Sequence, residues 1–311
     1  MSDKKIPLAA VVGPTASGKT ALAVELAQRL DGEIVSADSM QIYREMNIAT
    51  AKPTLEEQKN IPHHLLDFLP PESLYSVADY VVQARAIIAD IHARGKLPIL
   101  CGGTGLYYTS LVDNVQFFDE EHDEVLREHL NRRYREEGGE SLLAELQTFD
   151  PETAVRLHPS DNKRIIRAIE VYRLTGETMS ARAARSKQEP SPYQLAVIGL
   201  NYADRSVLYE RINKRVDIML AEGLIDEAKA FYAGKFGKTA AAAIGYKELK
   251  PYLDGIISLE EATEKLKQET RRYAKRQLTW FRKDQRIFWI EMDNCSNPTD
   301  IAETYLRSEL F

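Results

Sequence analysis

Cysteine is scarce: the 311 residues include two, Cys101 and Cys295, far apart in the chain. Two such residues supply neither a disulfide framework nor a metal-binding pair, so a disulfide-stapled secreted scaffold and a structural zinc site are excluded, and a reducing cytoplasm is the expected location. Long apolar runs are also missing. No stretch approaches the roughly 18 to 20 apolar residues that cross a bilayer, so no membrane partner is expected. Met1-Ser2-Asp3-Lys4-Lys5 leads directly into a strand-like stretch and shows no apolar signal-peptide core. Positive charge is not in excess either, with 41 Lys and Arg against 47 Asp and Glu and a net charge of −6. That balance argues against a protein that coats nucleic acid nonspecifically, while leaving room for a local basic groove. The remaining composition, 44% hydrophobic and 28% charged, is that of an ordinary globular protein about two domains long.

The first hundred residues alternate strand and helix signals. Pro7–Val12, Glu33–Ala37 and Pro98–Cys101 are short apolar runs of the kind buried in parallel sheets. Thr20–Leu30 carries apolar residues at helical spacing. Ser76, three residues before Asp79, opens a helix through His92 that Gly95 closes. From Asp119 to about Lys187 the chain is rich in Glu, Arg and Leu without strand signals, which predicts helices over 120–137, 139–148, 151–157 and 161–175. Strand signals return at Leu195–Leu200 and at Ile287–Ile290, the latter after a long basic helix. The segment 51–72, with Pro53, Pro62, Pro70 and Pro71, reads as a surface excursion. The expected fold is α/β: a P-loop parallel sheet core with helices on both faces, formed by 1–112 and 196–311, and an inserted all-helical domain over 113–195.

Gly13-Pro14-Thr15-Ala16-Ser17-Gly18-Lys19-Thr20 is a complete GxxxxGK[ST] pattern between an apolar strand and an amphipathic helix, the context that motif requires. Its amides and the helix N-terminus are suited to a di- or triphosphate, Lys19 adds a cation, and Thr20 can place a hydroxyl on Mg²⁺. A Walker-B acid is missing, because Ile99-Leu100-Cys101 runs into Gly102-Gly103-Thr104; the acid at a strand end near the loop is Asp38.

Asp38-Ser39-Met40-Gln41-Ile42-Tyr43-Arg44, Thr50-Ala51-Lys52-Pro53 and Gly102-Gly103-Thr104-Gly105-Leu106-Tyr107 resemble the tRNA dimethylallyltransferases. The resemblance continues through Lys163–Glu170, Ile212–Asp217, Ile244–Glu248 and Lys275–Arg282, in order along nearly the whole chain. Ala49 stands where the family pattern has Gly, and Ala241-Ala242-Ala243 lacks its polar residue. No zinc-finger extension follows, which points to the bacterial type. The resemblance implies transfer of a dimethylallyl group from dimethylallyl diphosphate to N6 of adenosine 37 in tRNA, by a cytoplasmic monomer with Mg²⁺. It implies catalytic roles for Asp38 as general base and for Thr104 and Arg215 at the leaving diphosphate. It also implies tRNA contacts from Asp38, Ser39, Met40, Gln41 and Thr104, from Lys163, Arg164, Ile165, Ile166 and Arg167, from Gly245, Tyr246 and Lys247, and from Lys275, Arg276, Gln277, Trp280 and Arg282.

The residues fit that chemistry independently. Adenine N6 is a weak nucleophile, and a carboxylate that takes its proton is the expected help. Negative charge grows on the leaving diphosphate, so donors aimed at it supply much of the catalysis. Between Arg271 and Arg286 seven Lys or Arg face one acid, Asp284, interleaved with Tyr273, Trp280 and Phe281, a pattern suited to RNA phosphates and unstacked bases. Three alternatives remain open at this level: a prenyltransferase using free AMP or ADP, a P-loop small-molecule kinase, and a noncatalytic RNA-binding protein.

Overall fold

The computed structural model describes residues 5–117, 123–186, 189–237 and 239–311. Six strands form one parallel sheet: β1 (Ile6–Val12), β2 (Gly32–Ser36), β3 (His63–His64), β4 (Leu97–Gly102), β5 (Tyr193–Asn201) and β6 (Ile287–Glu291), in the order β3-β2-β4-β1-β5-β6. The register follows from the alternation of side chains. Leu8, Ala10 and Val12 of β1 share one apolar core with Val35, Leu100, Val197 and the helices Val77–Ala93 and Gly105–Val112. Ala9 and Val11 point the other way, into a second core with Ile34, Ile99, Ile198 and the helices Lys19–Arg29 and Pro298–Leu310. Both faces are covered, which is why the strands read as continuous apolar runs rather than alternating ones. No described helix is long and apolar enough to cross a membrane.

The chain divides into two compact units, Met1–Val112 with Pro192–Phe311, and Asp113–Ser191. The second unit is helical, with Leu130, Leu142, Leu146, Ile165 and Ile169 fully buried in a core of its own. Its first long helix spans Glu124–Glu137; residues 120–122, where the sequence predicts its start, lie outside the described residues. The helix expected over 151–157 stops at Ala154.

The excursion at 51–72 is more regular than its prolines suggest. Thr54 and Glu57 close a reciprocal capping box on the single turn Leu55–Gln58, and His63–His64 pair with Ile34–Val35 as an edge strand. Two residues are too few to show a periodicity, so the pairing becomes visible only when β2 is beside them. His64 Nε2 lies 2.8 Å from the buried Glu33 carboxylate, which Arg94 also grips at 2.8 Å. His64 therefore has a structural place.

Candidate active site

The C-terminal ends of β1, β2 and β4 converge, as open α/β sheets require of a ligand site. After β1 the P-loop turns through Ala16 (φ 62°) and Gly18 (φ 93°), both left-handed, before the helix Lys19–Arg29 begins. Gly18 tolerates this without a Cβ penalty, and the reversal points successive amides inward as an anion cradle. Lys19 Nζ, 3.2 Å from Pro14 O, lies along the loop. Ser17 Oγ is buried without a hydrogen-bond partner, an orphan polar atom inside the cradle. Desolvation pulls the Lys19 ammonium below its ordinary range, partly offset by Cys101 and Asp38. A half-buried cation of this kind is most stable with an anion beside it.

Asp38 follows β2. Its Oδ1 accepts from the backbone amides of Met40 (2.9 Å) and Gln41 (3.3 Å), and Oδ2 takes no bond from a described residue. The β2 and β4 ends are locked together because Thr104 N donates to Ala37 O (3.0 Å) and Thr104 Oγ1 accepts from Ser39 N (3.0 Å). A Cβ at Gly102 would lie 2.2 Å from Ala37 O, so only glycine permits this approach. One turn of backbone thus carries both Asp38 and its hydroxyl neighbours.

Arg215 lies on the helix Arg205–Ala221, and its Nη2 donates to Ala51 O at 3.3 Å. Burial lowers its affinity for a proton, opposed most by the charges of Glu57 and Glu222. One cavity of about 270 Å³ is lined by Lys19, Thr20, Asp38, Gln41 and Arg215, with an apolar wall that includes Val216 and Leu266. Among the described residues, no three His, Cys, Asp or Glu side chains gather as a metal-binding group.

Other residues named from the sequence fall in different places. Lys275, Arg276 and Arg282 are exposed on and just after the helix Leu259–Phe281, and Lys247 is exposed beside Glu248. In the helical unit Lys163 and Arg164 are exposed, whereas Arg167 pairs with buried Glu170 at 2.9 Å. Four of the residues expected at the tRNA are buried in this structure. Ile165 and Ile166 are core residues of that unit. Tyr246 is fully buried, stacked on Phe231 with its hydroxyl on Glu227, and only the adjoining Gly245 (φ 119°) and Lys247 offer backbone or charge. Gln277 is buried and uses both ends of its amide internally, accepting from Thr15 N (2.8 Å) and donating to Gly103 O (3.0 Å). It joins the P-loop to the β4 end. Trp280 is 38% exposed, and its indole N–H donates to Thr109 Oγ1. Gln41 donates to the carbonyls of Thr50 and Ala51, both at 3.1 Å, and its Oε1 takes no bond from a described residue.

One site residue escapes sequence reasoning, and another, Tyr273, reads in the sequence as an RNA-facing aromatic without its place in the cavity. Arg211 donates to Ala16 O at 3.0 Å and so braces the P-loop; its signal is the i,i+4 spacing from Arg215. Tyr273 lines the same cavity one turn before Gln277, where burial beside Asp38 pushes its phenol up to about 12.

Family models described as IPP transferase and isopentenyl transferase match residues 41–284 and 6–67. The chain is 47% identical over 302 residues to a tRNA dimethylallyltransferase of Halalkalibacterium halodurans, covering 97% of this chain and 96% of that protein. Its identity to the protein of the same name in Bacillus subtilis is 46% over 293 residues, covering 94% and 93%. Among solved structures, the full-length tRNA isopentenylpyrophosphate transferase of Bacillus halodurans matches with a TM-score of 0.74 at 45% identity, over 98% of this chain and 97% of that one. A eukaryotic dimethylallyltransferase described as acting on tRNA matches with a TM-score of 0.80 at 28% identity, over 96% of this chain and 77% of that one. With a phosphate loop and an acid sharing one cavity, and with likeness along its whole length, this chain belongs to the tRNA dimethylallyltransferase family.

Proposed function

We propose that this protein transfers the dimethylallyl group of dimethylallyl diphosphate to N6 of adenosine 37 in tRNA and releases diphosphate. The observation that carries this reading is the single cavity in which the P-loop and Asp38 face a common space. The diphosphate sits on the P-loop amides with Lys19 and Arg215 beside it. N6 attacks C1 of the allyl group, the C1–O bond breaks towards diphosphate, and the N6 proton passes to Asp38 Oδ2. Thr104, whose hydroxyl is bonded to Ser39 next to Asp38, is the residue assigned to the bridging oxygen. Allylic cation character in the transition state makes the diphosphate donors worth most at that moment. A stacked base cannot bring N6 into such a cavity, so adenosine 37 leaves the stack. Exposed Lys163, Arg164, Lys275, Arg276 and Arg282 are the phosphate contacts of the tRNA.

Thr20, which lines the cavity, is the residue that would hold Mg²⁺, and the orphaned Ser17 hydroxyl of the same loop fits an ion that arrives with the diphosphate. Bound there, the ion would neutralise charge on the leaving group. The test is incubation with labelled dimethylallyl diphosphate and bulk tRNA or AMP. Label in tRNA is the expected outcome; label only in AMP, or phosphoryl transfer from ATP instead, overturns the reading.

A further inference from the structure

The turn that faces Gln41 and Arg215 is held from behind by one carboxylate. Glu227, on the helix Leu224–Ala233, accepts from three successive backbone amides: Asn47 N (2.8 Å) and Ile48 N (2.7 Å) on Oε2, and Ala49 N (2.9 Å) on Oε1. The Tyr246 hydroxyl donates to Oε1 as well, at 2.9 Å. The chain then reverses through Ala51, a non-glycine residue at φ 51°, with Ala51 N on Ile48 O and Lys52 N on Asn47 O. Left-handed geometry at alanine is sterically unfavourable and persists only where neighbouring contacts impose it. The reversal turns the carbonyls of Thr50 and Ala51 away from Glu227 and into the cavity. There Gln41 Nε2 donates to both and Arg215 Nη2 donates to Ala51 O.

We infer that Glu227 is a positioning residue for the transfer reaction, which fixes the 47–51 turn so that Ala51 O aims the Arg215 guanidinium at the leaving diphosphate. Glu227 does not line the cavity and touches no reacting atom. Its effect travels through three amides and one carbonyl. A carboxylate suits the task because it is acceptor-only and can serve four donors at once; a carboxamide has a single acceptor oxygen and presents N–H groups to the amides on its other side. The inference rests on the transfer activity proposed above and on Arg215 serving it.

The experiment is a double-mutant cycle in the full chain, with kcat measured at saturating donor and tRNA and with Tm measured alongside. Glu227→Gln is expected to lower kcat between about tenfold and a hundredfold in the wild-type background, as a misaimed catalytic group does. In an Arg215→Ala background the same change should cost less than about twofold, because its route is already cut. Tyr246→Phe removes one of the four donors and leaves the three amides. It should show the same pattern on a smaller scale, a loss of about two- to threefold that vanishes without Arg215. A general folding defect would instead multiply through both backgrounds. Losses of equal size in the two backgrounds, or unaltered kcat in Glu227→Gln, overturn the inference. Failure of the wild-type protein to label tRNA overturns the transfer reading itself, which keeps the two failures distinct.

Discussion

As the proposed general base, Asp38 shows how little of a carboxylate the fold fixes. Two amides hold Oδ1, and Oδ2 takes no bond from a described residue. Asp38→Asn preserves the amide-held oxygen while removing the base, so kcat should fall by about a hundredfold or more with tRNA affinity within about threefold of wild type. A fall of less than threefold in kcat would show that N6 loses its proton elsewhere. Glu33 serves stability instead. The Arg94 guanidinium holds its carboxyl down at about 2, against an ordinary 4.5, with His64 helping and burial opposing. A depressed acid stabilises the fold above its unfolded pKa and loses that contribution as pH falls through the folded one. Between pH 4.5 and 2, then, wild type should lose on the order of 2–3 kcal/mol that Glu33→Gln never had. Urea midpoints of the two proteins measured down that range should converge. Parallel curves would mean that the ion pair contributes nothing.

Among the elements, the helix Leu259–Phe281 has two faces with separate tasks. Ser258 and Glu261 cap its start, and Ala274, Gln277, Leu278 and Phe281 face inward, with Gln277 bracing the P-loop. The basic residues are not equivalent. Arg271 is bonded to Asn213 and Arg272 to Glu269, whereas Lys275, Arg276 and Arg282 extend into solvent. Replacing those three together should flatten the log–log salt dependence of tRNA binding by about two, at roughly 0.7 per phosphate of a single-stranded loop. Replacing Arg271 and Arg272 should change the slope by less than one. An unchanged slope in the triple variant would make this helix a solvated face and move the RNA contacts elsewhere.

At the scale of the molecule, Lys19 and Arg215 are partly buried cations lining one cavity, so an anion that binds there is coupled to stability. Diphosphate with Mg²⁺ at about a hundred times its dissociation constant should stabilise the protein by about 2.7 kcal/mol, a rise in Tm of several degrees. Lys19→Ala should lose most of that rise. A rise of equal size in the variant would place the anion outside the P-loop. The stabilisation belongs to the unit formed by Met1–Val112 and Pro192–Phe311, which contains every residue lining the cavity.

The P-loop, the apolar strands, the helical character of 124–175 and the acid after β2 were legible in the sequence, because each depends on neighbours within a few residues: turn glycines, a helix period, a strand end. The edge strand His63–His64 was not, since two residues acquire strand character only from the partner they pair with. Burial divided the motif residues in a way that their types did not announce. Ile165, Ile166, Tyr246 and Gln277 sit among basic, RNA-suited neighbours, yet packing turns them inward while Lys163, Lys247 and Arg276 turn outward. Arg211 beside Ala16, Gln277 between Thr15 and Gly103, and Glu227 behind the 47–51 turn join residues between 174 and 262 positions apart. Chemistry-bearing residues could be named from local pattern, but their support comes from contacts distant in sequence, which exist only once the sheet has brought the helices together.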